Sequence, residues 1–204
     1  MALKVAALSQ AVPVSLHARL REARGYVDRT QSELSEEMQS RLEMAGVRRL
    51  GLEPMRRTII TFDAPPGMDV SAWPFAKTVG DELYFAPESG RLFASPMDEV
   101  PSDPCDAQPD ELEVALAVER VEQRTLIKVE RIAHKWAGLR TFAPDRQPVA
   151  GFAGDAPGFF WLAGQGGFGL QTSPILAKIA ESLIAGAPWP LPQVDPVQFG
   201  TSRN

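Results

Sequence analysis

The reading turns on residues 141–186, TFAPDRQPVAGFAGDAPGFFWLAGQGGFGLQTSPILAKIAESLIAG. A proline turn at 144–148 opens the stretch. Phe159-Phe160-Trp161-Leu162-Ala163 is a short apolar run that reads as a buried strand. Gly164-Gln165-Gly166-Gly167-Phe168-Gly169 follows, and then an apolar helical pattern over 174–185. The loop matches G-x-G-x-x-G literally, which suggests a dinucleotide-binding turn. Position argues against that reading. The fingerprint needs a parallel βαβ unit and an acidic residue about 20 positions later. Here one helix is followed by Ala187-Pro188-Trp189-Pro190, leaving no room for a second parallel strand.

The loop chemistry still suits an anion or an electron-rich ring. Glycines let a backbone approach a ligand with no Cβ in the way. Thr172 or Ser173 is expected as the N-cap, with Pro174 at the first helical position. The helix would then present free N–H groups and a positive dipole end. A glycine-rich turn needed only for tight packing has the same spacing, and spacing does not separate the two.

Working outward, residues 30–45 have helical periodicity through Leu34, Met38, Leu42 and Ala45, with Gly46 as a C-cap. Residues 58–62 are β-branched and aromatic and read as a strand. Two short strands are expected at 81–85 and 91–94, joined by the turn Pro87-Glu88-Ser89-Gly90. Asp110 should cap a helix running to about residue 123, with Leu112, Ala115, Leu116 and Val118 inward. Residues 126–136 read as a further strand, and the proline-rich end after Gly186 as extended chain. Strands and helices without regular alternation give α+β with a mixed, mainly antiparallel sheet and flanking helices.

Composition narrows the function. The chain has 204 residues and a net charge of −5, which disfavours nucleic acid as a partner. One cysteine excludes an internal disulfide and suits the cytoplasm. Two histidines, His17 and His134, with no Cys/His cluster leave no metal site to expect. No G-x-S-x-G is present, so an α/β-hydrolase nucleophile is unsupported. No apolar run reaches transmembrane length, so membrane insertion is not expected.

These residues resemble a family. Residues 141–186 resemble the C-terminal signature of the D-amino-acid oxidase, glycine oxidase and sarcosine oxidase superfamily of FAD-dependent oxidoreductases. Trp136-Ala137-Gly138-Leu139-Arg140 is similar to its W-A-G-L-R element. Residues 81–90 resemble the strand and turn of its substrate domain, and the resemblance extends over about residues 45–186. It implies four parts: a divergent helical segment over 1–44, a substrate-binding domain over 45–140, a flavin-contacting segment over 141–187, and a proline-rich tail over 188–204. The family's N-terminal βαβ unit, which grips the adenosine diphosphate of FAD, has no counterpart in this sequence. Weak or absent FAD binding by this chain alone is therefore expected.

The resemblance also assigns roles. Arg140 would hold a substrate carboxylate, and Tyr84 would line the substrate pocket. A surface arginine and a half-buried strand tyrosine are the ordinary alternatives. Gly164, Gln165, Gly166, Gly167, Phe168, Gly169, Leu170 and Gln171 would wrap the flavin. Gly167 stands where some members carry a polar or basic side chain next to the substrate. No residue is assigned as a catalytic acid or base. The implied substrate is a small amino acid or amine, and the implied partner is a separate nucleotide-binding half or a second copy of the chain.

Overall fold

A computed structural model describes residues 46–203. The helix expected over 30–45 lies outside the described residues. The chain divides into two compact units, one formed by Met55–Leu139 and the other by the residues up to Pro54 together with Arg140–Asn204.

The Met55–Leu139 unit is built on an antiparallel sheet. Its strands are β1 (Glu53–Asp63), β2 (Ala76–Lys77), β3 (Tyr84–Glu88), β4 (Arg91–Ser95), β5 (Val100–Pro101) and β6 (Ile132–Phe142), where β1 and β6 run across the unit boundary. The sheet order is β2-β3-β4-β1-β5, and β6 pairs with β1. The strand at 58–62 is observed inside the longer β1. The hairpin is observed too, with Glu88 paired to Arg91. Its two turn residues, Ser89 and Gly90, have φ of 52° and 80°, as a type I′ turn demands. Its first strand begins at Tyr84 rather than 81, because Asp81 sits in a turn with φ 56°. Thr78 holds that turn by accepting from the Glu82 and Leu83 amides at its hydroxyl.

Between β4 and β5 the register along β1 shifts, from Ile60↔Ala94 to Arg56↔Val100. Two extra residues loop out, as in a bulge. Asp98, inside that loop, turns its carboxylate back onto Thr58. The Thr58 amide donates to Oδ1 at 2.8 Å and its hydroxyl to Oδ2 at 2.9 Å. A backbone donor left without its ladder partner is thereby satisfied.

Helix α1 (Glu111–Arg124) packs on the sheet. Asp110 is its N-cap, accepting from the Leu112 amide at 2.8 Å, and Glu111 and Glu113 favour the positive end. The inward face differs from expectation. Val114, Ala117 and Val121 are buried against Ile60, Phe62 and Leu92, while Leu112 and Ala115 are exposed. Apolar residues at 112 and 114–118 surround the helix, so the stripe is fixed only by Val121, three and four residues beyond Val118 and Ala117. Each buried valine contributes about 2 kcal/mol. The strand expected over 126–136 is also corrected, since β6 begins at Ile132 and runs on through the W-A-G-L-R residues.

The other unit is built on the antiparallel hairpin β7 (Val149–Phe152) and β8 (Phe160–Ala163), followed by α2 (Gly169–Ala185) and a 3-10 turn (Pro196–Phe199). Val47, Leu50 and Leu52 join its core beside Ala143, Val149 and Trp161. The tail is folded, not extended. The Trp189 indole N–H donates to the Leu191 and Val194 carbonyls, each at 2.8 Å. Trp189, Leu191 and Phe199 pack against Leu176 and Ile179 of α2. Arg203 completes the tail by donating to the Asp145 carboxylate and to the Gln147, Pro148 and Gln198 carbonyls. Tryptophan and a closing arginine outweigh the bias of four prolines towards open chain.

Candidate functional site

The glycine loop folds onto the end of β6. Phe142 bridges Gln165 in antiparallel fashion, and the Gly166 amide donates to the Thr141 carbonyl at 2.9 Å. The Phe168 amide returns to the Gln165 carbonyl at 3.0 Å, which closes a tight turn. Two of the glycines are then explained by what lies beside them. A Cβ at Gly166 would stand 2.3 Å from the Phe142 ring, and the backbone there has φ 55°. A Cβ at Gly167 would stand 2.8 Å from Nη1 of Arg140 and 2.9 Å from its Cζ. The close approach that glycine permits at these two positions is to side chains of the chain itself.

Arg140 and the loop residues assigned beside it are therefore brought together in one unit. Arg140 is half-buried, and Gly167, Phe168, Leu170 and Gln171 are exposed, Leu170 at 93%. Arg146 stands over the opposite partner of this arrangement, its guanidinium carbon 4.4 Å from the centroid of the Phe142 ring.

The helix after the loop starts earlier than expected. Phe168 is the N-cap, without a side-chain cap bond, and Gly169 is the first helical residue. Thr172 and Ser173 do not cap. Their hydroxyls donate backwards, Thr172 to the Phe168 carbonyl at 2.8 Å and Ser173 to the Leu170 carbonyl at 2.9 Å. Pro174 lies inside the helix. Having no N–H, it leaves the Leu170 carbonyl without its usual donor, and the Ser173 hydroxyl takes that place. The first intrahelical bond is Thr172 N–H to Phe168 O at 2.9 Å. Ahead of it stand the amides of Gly169, Leu170 and Gln171, the orphan donors of a helix N-terminus.

The strand that enters this loop, β8, is antiparallel to β7, and a helix follows the loop. No parallel βαβ unit surrounds it among the described residues, which removes direct nicotinamide binding by a Rossmann turn. The donor set fits an electron-rich ring edge instead, since three first-turn amides begin at exposed backbone and the positive helix end lies with them.

Tyr84 belongs to the Met55–Leu139 unit and is buried there. Its ring lies 5.4 Å from Phe75 and 6.0 Å from Phe93. The guanidinium carbon of Arg57 stands 6.0 Å from its centroid. Arg57 is itself 3% exposed and is held by the Asp98 carbonyl at 2.6 Å and the Glu99 carboxylate at 2.9 Å. Nothing in the sequence singled out Arg57. Its one signal is alternation along β1, which puts it on the face of Ile59 and Thr61. Arg120 anchors the same end of the hairpin from α1, donating to the Glu82 carbonyl at 2.7 Å and to the Pro96 carbonyl.

Electrostatics separate structural carboxylates from candidates for chemistry. Burial pushes the Glu113 carboxyl above its ordinary range, with Asp98 and Asp110 adding to the effect. The Arg203 guanidinium holds Asp145 below that range, and the Gln147 amide adds to it. Both are explained by packing. His134 is exposed on β6, and among the described residues no group of His, Cys, Asp and Glu could hold a metal ion. No described helix is long and apolar enough to cross a membrane.

Comparison with known proteins identifies the family and the fold. The family model for FAD dependent oxidoreductases (DAO) matches residues 34–183. Glycine oxidase from Geobacillus kaustophilus superposes with a TM-score of 0.64 at 20% identity, over 80% of this chain and 42% of that one. Iminodiacetate oxidase from Chelativorans sp. BNC1 gives 0.61 at 17% identity, over 78% and 42%. L-amino acid deaminase from Proteus vulgaris gives 0.57 at 21% identity, over 77% and 38%. The chain thus matches about two fifths of the length of these structures.

Proposed function

The chain belongs to the FAD-dependent oxidoreductase family, and on that premise we propose that it carries the substrate-binding and flavin-contacting part of an enzyme that oxidises a C–N bond in amino acids or secondary amines. The observation that carries the reading is the seat of Arg140 against Gly167. A carboxylate-reading fork and a loop with open backbone donors share one small region.

FAD, when bound, supplies the two-electron acceptor. The chain's own residues bind and orient. Arg140 offers a planar fork that takes a carboxylate by two parallel N–H···O bonds. The amides of Gly169, Leu170 and Gln171, with the exposed loop ahead of them, would face the electron-rich edge of the flavin ring, where the helix dipole favours negative charge. The substrate loses a hydride from carbon and a proton from nitrogen, and water then hydrolyses the resulting imine. The three superposed structures are named for amino acids, glycine and iminodiacetate, all amines that bear a carboxylate.

The absorbance spectrum of the purified chain, followed by titration with FAD, tests the cofactor. Weak binding is expected, and stoichiometric, tightly held FAD would contradict the view that a separate part grips the nucleotide. Arg140 is tested in an active form, reassembled or extended. Loss of one partner of a buried charged pair costs about 2–5 kcal/mol. Arg140→Ala should therefore raise KM for amino acids by roughly 30-fold or more, and leave amines without a carboxylate nearly unchanged. Equal turnover of amino acids by a folded variant would remove the assignment.

A second reading is a fragment, inactive alone, that assembles with a nucleotide-binding half. Exposure favours it. Leu170, Pro174, Ala177 and Ile184 are all exposed on α2 at helical spacing, next to exposed Phe168. Sedimentation showing a clean monomer at high concentration would count against it.

A further inference from the structure

We propose that Gly167 is a specificity-determining residue, whose missing side chain seats the Arg140 guanidinium for a single substrate carboxylate. The inference rests on the reading of Arg140 above. A Cβ at position 167 would stand 2.8, 2.9 and 3.1 Å from Nη1, Cζ and Nε of Arg140. All three atoms belong to the guanidinium plane, so the head group and not its aliphatic stem occupies the space.

Gly167 differs from its neighbour in a telling way. Gly166 has a left-handed backbone and abuts the Phe142 ring, so its glycine is fixed by the fold. Gly167 lies outside the left-handed region, as any residue can, and it is exposed. Backbone and burial would both tolerate a side chain there. The atoms it would meet are the far end of a long, flexible side chain, which can swing away at small cost to stability. A methyl group at 167 therefore acts on one thing, the position of the fork. Misplacing a bidentate fork disrupts carboxylate recognition while the rest of the molecule stays intact.

The experiment uses the purified chain and acetate as the probe, so it needs no turnover. The Arg140 Nε–Hε signal is assigned by its loss in Arg140→Lys and followed during an acetate titration, alongside thermal unfolding. Wild type should respond saturably. Gly167→Ala should unfold within about 2 °C of wild type, shift the Arg140 signal before acetate is added, and bind acetate about tenfold more weakly. Adding Gly167→Ala to Arg140→Ala should change acetate binding no further. If Gly167→Ala matches wild type while Arg140→Ala loses acetate, the reading of Arg140 stands and the role of Gly167 is overturned. If Gly167→Ala unfolds the protein, glycine is structural there and the proposal fails. If acetate leaves Arg140 undisturbed in wild type, or binds Arg140→Ala equally well, the reading and the proposal fall together.

Discussion

Tyr84 and Gly167, each assigned to substrate, sit in opposite settings within their own units. Around Tyr84 the polar groups are committed: Asp98 closes on Thr58, Arg57 is tied to Asp98 and Glu99, and Arg120 fastens the hairpin from the helix. Around Gly167 the side chains of Phe168 and Leu170 are exposed, and the helix N-terminus has no side-chain cap bond. A committed interior answers a substitution with lost stability. An open surface answers with lost binding. The two regions can be told apart by which response a variant gives.

The sharpest departure from that division is expected inside the loop itself. Gly166→Ala should act like an interior change, because the new Cβ meets the Phe142 ring at a left-handed backbone position. Left-handed strain of about 1–2 kcal/mol adds to overpacking of about 1–3 kcal/mol. Urea denaturation should show a loss of about 2–5 kcal/mol, and a loss under about 1 kcal/mol would mean that the loop is not packed on β6.

Next comes the committed side. Asp98→Ala strips the acceptor from the Thr58 amide and hydroxyl, in a residue with no solvent exposure. Leaving buried donors unpaired costs about 1–3 kcal/mol. Thermal unfolding should register that loss, with Thr58→Val recovering part of it by removing the hydroxyl.

The smallest effect belongs to the ion pair of Asp145 and Arg203, 2.5 Å apart at the edge of the loop's own unit. The folded carboxyl titrates below its ordinary value of 3.8. Its stabilisation is therefore present above that value and lost as pH falls through the lower, folded one. Asp145→Asn should lower stability at pH 6 by about 0.5–1 kcal/mol, since the pair is bidentate and the Arg203 side chain is only 10% exposed. The gap to wild type should narrow as pH falls below 3.8, and a gap that widened on acidification would reverse the assignment.

Legibility in the sequence followed the same division. Asp110 was readable as a cap because an N-cap is a local bond between a carboxylate and an amide two residues on. The Ser89-Gly90 turn was readable for a similar reason. The inward face of α1 was not, since apolar residues nearly encircle the helix and only contact with the sheet chooses among them. The start of α2 was misplaced because Thr172, Ser173 and Pro174 form a strong local starting signal. Packing of Gly166 on Phe142 and the turn closed by the Phe168 amide on the Gln165 carbonyl lead into a helix that begins at Gly169 instead, and the Ser173 hydroxyl repairs the bond Pro174 cannot make. The folded tail escaped for the opposite reason, its order coming from distant partners of Trp189 and Arg203.

The way the chain threads its two units has a consequence for the order of folding. Met55–Leu139 is continuous, whereas the other unit must join Val47 and Leu52 to Ala143 and Trp161 across it. Closing that long loop in an unfolded chain costs entropy before any contact rewards it. β1 and β6 both cross the unit boundary and pair with each other, so a sheet that forms first would shorten that closure. On that order the Arg140 region would fold late, with the glycine loop settling on Phe142 once the end of β6 is in place.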